Sequence, residues 1–155
     1  MEQLEAALDL TSELERVERA ILAKFESRSM LLDAASRYLI TGGGKRMRAS
    51  LVLLAARLGH KEDVDEIISV ATAIEMIQSA SLAHDDLVDE AEVRRGRPTV
   101  HAVWNGSIAL MVGDYLFALA SGQMARADRR VIASFARGVE RICEAELSPV
   151  TTLEP

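Results

Sequence analysis

Between Asp63 and Glu90 the chain contains neither glycine nor proline, and Ile67, Val70, Ala71, Ile74, Ile77 and Ala80 recur at three- and four-residue spacing. That period is helical. At 1.5 Å per residue the segment spans roughly 40 Å, longer than most helices of globular domains. Composition points the same way. Hydrophobic residues make up 49% and aromatics only 4%, with three prolines, which suits a helical bundle better than a sheet. The expected fold class is therefore all-α. Helices are predicted near 3–26, 29–40, 46–58, 63–90, 107–126 and 128–146, within one domain that carries no repeat and no linker. In the third, Met47, Leu51, Leu54 and Leu58 form the expected core stripe. Residues 91–106 read as a loop with Pro98 and a short turn from His101 to Trp104, and Asn105-Gly106-Ser107 supplies a break and a helix cap. Asp114 falls in the apolar run from Ile108 to Ala120 and is expected to be buried, held by a structural hydrogen bond more readily than by a metal.

The long helix ends in acid. Asp85, Asp86 and Asp89 lie within about one turn, and Gln78, Ser81, Asp85 and Asp89 share one stripe. Carboxylates at a helix C-terminus oppose the macrodipole by about 0.3–1 kcal/mol each, so a bound cation is the natural compensation. Arg94 and Arg95 follow at once. Carboxylates beside guanidiniums suggest a magnesium–diphosphate complex, the metal bridging protein and phosphate oxygens while arginine takes the remainder. The plainer alternative is a solvated acidic helix end paired with Arg94, Arg95 and Arg97. His84 alone reads as a polar neighbour.

A second signal lies in Thr41-Gly42-Gly43-Gly44-Lys45-Arg46-Met47-Arg48, between two helical segments. Glycines permit positive φ and bring bare N–H groups close to a ligand. The next helix is expected to open with Lys45 and Arg48 on one face, where basic side chains are misplaced unless an anion sits among them. The spacing is not that of a Walker loop. A flexible interhelical turn with solvated cations is the competing reading.

Together, Gly43-Gly44-Lys45-Arg46-Met47-Arg48, Ser81-Leu82-Ala83-His84-Asp85-Asp86-Leu87-Val88-Asp89, Arg94-Arg95-Gly96 and Gly113-Asp114-Tyr115-Leu116 resemble, in order and spacing, the polyprenyl synthetase (trans-isoprenyl diphosphate synthase) family. The resemblance runs from about residue 20 to 146 and implies a helical bundle of the isoprenoid synthase type. It implies that Asp85 and Asp89, with Asp86 between them, form the first aspartate-rich motif, Asp85 and Asp89 holding Mg²⁺ against an allylic diphosphate. By the same resemblance Arg94 binds that diphosphate, and Gly44, Lys45, Arg48, Gln78 and Arg95 bind isopentenyl diphosphate. Gln78 stands where the family often has histidine, and Ala49 where proline commonly follows Arg48. The implied chemistry is ionisation of the allylic C–O bond, attack by the isopentenyl double bond, and loss of a proton, with water excluded. Ala80 and Ser81, just before the motif, are small, which implies a product longer than short-chain synthases make. The alternative for that pair is a close helix–helix contact.

The resemblance also implies a second aspartate-rich motif on a later helix, and no second Asp-Asp-x-x-Asp follows Asp89. The expectation is thus the N-terminal part of a synthase, apparently truncated, with apolar faces that pair with another copy or another synthase chain. A non-catalytic subunit completing a partner is the second hypothesis. A di-metal carboxylate bundle is disfavoured, because Glu75, Glu90 and Glu92 lack histidine three residues on. A net charge of −6 argues against nucleic acid. Apolar runs stay short of a membrane span, and the acidic N-terminus does not read as a secretory signal. The single Cys143 is expected to pack within its helix, and a reducing, cytoplasmic setting fits it.

Overall fold

The computed structural model describes the backbone of residues 9–151 and the side chains of 9–145. Seven helices occur among the described residues: α1 (Thr11–Leu22), α2 (Met30–Ile40), α3 (Met47–Leu58), α4 (Val64–Val88), α5 (Val100–Val103), α6 (Gly106–Met124) and α7 (Arg129–Thr151). A two-stranded hairpin, β1 (Val93–Arg94) and β2 (Arg97–Pro98), lies between α4 and α5. The part of the expected first helix before residue 9 lies outside the described residues.

Local chemistry explains the boundaries. Asp63 caps α4 by accepting from the Glu66 N–H at 3.0 Å, and Asn105 caps α6 by accepting from Ile108 at 2.9 Å. α4 stops in a Schellman turn: Ala91 N–H donates to the Asp86 carbonyl at 2.9 Å and Glu90 N–H to Leu87 at 3.3 Å. Glu90 takes the left-handed position at φ 52, where glycine is usual. The expected loop over 91–106 is more ordered than its composition suggests. Arg95 and Gly96 both have positive φ, 54 and 75, which is the two-residue turn that joins β1 to β2. The hairpin escapes a sequence reading because arginine at the first turn position is uncommon. The expected turn from His101 to Trp104 is α5.

α4 is the hub, packed chiefly on α6 and then on α3 and α1. It meets the length and composition of a membrane span, with a mean hydropathy of 1.2 over its most apolar window, half of which is buried by the neighbouring helices. Ala71, Ala73, Met76 and Ala80 of α4 meet a core that includes Val17, Ile21, Ala109, Val112, Leu116 and Ala120. Burying a side chain the size of Met76 or Leu116 is worth about 1.5–3 kcal/mol. Two expectations fail here. On α3 the buried residues are Ala49 and Leu53, whereas Met47, Leu51 and Leu58 are 60%, 62% and 83% exposed. Leu54 of the expected stripe is partly buried against the core with Val52, whereas Met47, Leu51 and Leu58 turn outward, and the two apolar stripes were indistinguishable by period alone. Cys143 is exposed rather than packed within the core.

An ion pair between Arg57 of α3 and Glu13 of α1 ties those helices together. The guanidinium holds the Glu13 carboxyl below its ordinary range. A depressed native value stabilises the fold above the unfolded value of about 4.3, and the contribution disappears as pH falls through the native one. Glu13→Gln should therefore flatten the acid-side fall of melting temperature between roughly pH 5 and pH 3.

Candidate active site

The glycine loop, one side of α4 from Glu75 to Asp86 and the hairpin converge on one cavity of about 610 Å³; of the expected α4 stripe only Gln78 lines it, and Asp85 and Asp89 are not among its lining residues. Its lining includes Gly44, Lys45, Arg48, Gln78, Asp86, Arg94 and Arg95, together with Arg46, Arg97 and Glu75. Six cationic side chains (Lys45, Arg46, Arg48, Arg94, Arg95, Arg97) thus face two carboxylates (Glu75, Asp86). Such an excess suits a multiply charged anion.

The cations are not equivalent. Arg46 is only 15% exposed and is consumed internally: Nε donates to Glu18 at 3.2 Å, Nη2 to the Ile40 carbonyl at 3.2 Å, and Nη1 lies 3.8 Å from Glu75. Arg94 Nε donates to Asp86, which is 3% exposed. Lys45 and Arg48 are exposed on the cavity wall. Contrary to the expectation from the spacing, Lys45 does not open α3. It precedes the helix, because Arg46 takes the N-cap position at φ 48. Arg95 donates to the Gly43 carbonyl, so the hairpin closes on the glycine loop. Gly43, at φ 90, is the glycine whose backbone requires its freedom. Arg97 stacks 4.4 Å from the Tyr38 ring, and Tyr38 Oη donates to the Pro98 carbonyl at 2.8 Å. In the sequence Arg97 figured only as a possible partner of the acidic helix end and Tyr38 not at all, because a contact between residues 59 positions apart leaves no local pattern.

Asp85 and Asp89 are one turn apart at the end of α4, Asp85 half-buried and Asp89 exposed as the C-cap residue. Asp86 faces the other way, onto Arg94. Among the described residues no three His, Cys, Asp or Glu side chains converge as a metal cage. Two carboxylates one turn apart nonetheless fit magnesium, which commonly takes one or two carboxylates and completes its shell with water and phosphate.

A second cavity, of about 530 Å³, lies on the other side of Gln78 and Arg48, which line both. Its walls are Val52, Ile74, Ile77, Ala80, Ser81, Phe117 and, from α7, Val131, Phe135, Val139 and Ile142, with Cys143 at its edge. His84 and Asp114 also line it, 3.6 Å apart, and His84 Nε2 is 3.2 Å from the Leu110 carbonyl. Asp114 is 58% exposed at its side chain, contrary to the expectation of burial. It points into this open space rather than into the α4–α6 contact, where Gly113 takes the close position.

The geometry agrees with wider comparisons. The polyprenyl synthetase family model matches residues 29–152. The chain belongs to that family. It is 39% identical over 143 residues to heptaprenyl diphosphate synthase component 2 of Geobacillus stearothermophilus, covering 92% of this chain and 43% of that protein. A decaprenyl diphosphate synthase from Rhodobacter capsulatus superimposes with a TM-score of 0.85 at 35% identity, over 97% of this chain and 46% of that one. A polyprenyl synthase from Caulobacter crescentus, complexed with calcium and isoprenyl diphosphate, superimposes with a TM-score of 0.84 at 34% identity, over 89% and 42%. The chain thus spans less than half the length of each of these relatives, and its fold is the isoprenoid synthase bundle.

The two arginines of the hairpin should separate by stability. Arg94→Ala leaves the buried Asp86 carboxylate without its donor and should cost about 1–3 kcal/mol in urea unfolding. Exposed Arg95→Ala should change stability by no more than about 0.5 kcal/mol.

Proposed function

We propose that this polyprenyl synthetase chain acts in head-to-tail prenyl transfer, adding isopentenyl diphosphate to an allylic diphosphate. The observation that carries this is the shared wall. A cationic cavity suited to diphosphate and an apolar cavity suited to a hydrocarbon meet at Gln78 and Arg48. Lys45, Arg48 and Arg95 would hold isopentenyl diphosphate by charge-assisted hydrogen bonds, with the Gln78 amide as a neutral donor. Arg94 would donate to the allylic diphosphate while remaining tied to Asp86. Asp85 and Asp89 would hold magnesium, which supplies neutralisation of the departing diphosphate. The allylic C–O bond then breaks, the isopentenyl double bond closes on the resulting cation, and a proton is lost. The apolar walls exclude the water that would otherwise trap the cation.

Ala80 is buried and Ser81 half-buried on the apolar cavity, where their small size leaves room for a growing chain. This supports a long-chain product. Pairing with a second synthase chain is supported by the exposed Met47, Leu51 and Leu58 and by the "component 2" designation of the Geobacillus relative. The acidic charge and the single thiol favour a cytoplasmic setting.

The test is elongation of allylic primers by isopentenyl diphosphate and magnesium, with and without the C-terminal half of a related synthase. Product should form, and Asp85→Ala or Asp89→Ala should reduce it by about a hundredfold or more. Ser81→Phe should shorten the product without abolishing it. Absence of product under both conditions contradicts the proposal.

A further inference from the structure

Glu75 is a carboxylate in the middle of the apolar run of α4, 6% exposed. Its Oε1 accepts from the backbone N–H of Ala49 at 2.9 Å, and its Oε2 lies 3.8 Å from Arg46 Nη1. Ala49 is in the first turn of α3, where N–H groups lack intrahelical acceptors. The usual remedy is a side-chain oxygen on the N-cap residue. Here that residue is Arg46, whose guanidinium has no acceptor and makes no cap. α3 therefore takes its cap from α4, and a carboxylate at a helix N-terminus also has the favourable sign for the dipole. The capped backbone is the part that matters for ligand: Lys45 immediately precedes Arg46, and Arg48 immediately precedes Ala49.

We propose that Glu75 is a positioning residue for isopentenyl diphosphate, fixing the α3 N-terminus through Ala49 N–H and Arg46 so that Lys45 and Arg48 keep the spacing a diphosphate requires. This rests on the substrate reading above. Two observations give it force. Arg46 is at φ 48, a left-handed position that an L-residue keeps only when its surroundings hold it. Ala49 also carries an N–H that a proline there would lack, so this chain has a buried donor that needs an acceptor.

The experiment measures binding of isopentenyl diphosphate and, separately, of an unreactive allylic diphosphate analogue with magnesium, by calorimetry on the whole 155-residue chain. Glu75→Met keeps volume but offers no acceptor. It should weaken isopentenyl diphosphate about tenfold and leave the allylic analogue unchanged. Glu75→Gln retains the acceptor and should stay within about threefold of the parent. Ala49→Pro in the Glu75→Met background removes the orphan donor and should recover part of the loss. Glu75→Asp keeps the charge but shortens the reach, and carries the same expectation of selective weakening should Glu75→Met fail to fold. Equal weakening of both ligands, or no weakening in a folded Glu75→Met or Glu75→Asp chain, overturns the inference. A parent chain that binds neither diphosphate overturns the substrate reading itself, and this inference with it.

Discussion

α4 and α6 lie antiparallel and so close that a methyl group on Gly106 would stand 2.9 Å from Leu87, while one on Gly113 would strike the His84 ring. That approach determines much else in the molecule. It lets Ala83 disappear into the core and sets Ala80, itself buried, at the wall of the apolar cavity, while other side chains of the same helix line both cavities. A bulkier contact would push α4 away and separate the acidic helix end from the glycine loop. The small residues of α4 are therefore shared between two demands: tight packing on one side and an open apolar cavity on the other.

Charge is arranged by the same helix. Two of its carboxylates are buried, and each has a particular arginine facing it: Glu75 faces Arg46 and Asp86 holds Arg94. Burying a carboxylate without such partners costs several kcal/mol, so these pairs are conditions of folding as much as features of the site. They also divide the basic residues by role. Arg46 is tied to protein on several sides, whereas Lys45 and Arg48 stand exposed on the cavity. The glycine loop and the hairpin turn supply the backbone freedom that brings Arg95 across to Gly43.

The long helix, its acidic end and the order of the motifs were legible in the sequence, because each is written in local spacing. The all-α fold followed from them, and among the described residues the helix bounds moved by up to five residues, the largest changes being at the ends at Leu22 and Thr151. What escaped was whatever depends on a distant neighbour. The α3 stripe was misplaced because Met47, Leu51 and Leu58 are as periodic as Ala49 and Leu53, and only α4 decides which side is inside. Asp114 was misplaced because Gly113 takes the close approach to α4, leaving the Asp114 side chain 58% exposed beside His84. The hairpin at Arg95-Gly96 lacks the asparagine or aspartate that usually announces such a turn. Glu75 did leave a trace, a lone charge in an apolar run, but its partner Ala49 is 26 residues away and acts through its backbone.

α4 separates the cationic cavity from the apolar one, with Gln78 and Arg48 as the common wall. Amide chemical-shift mapping on the labelled chain tests it most directly, comparing isopentenyl diphosphate with an allylic diphosphate bearing a long tail. The short ligand should perturb Gly44 to Arg48 and Arg95, and the tail should add perturbations at Ala80, Ser81 and Phe135. Tail-dependent shifts confined to the outer face of α3, with Ala80 and Ser81 unmoved, would contradict it.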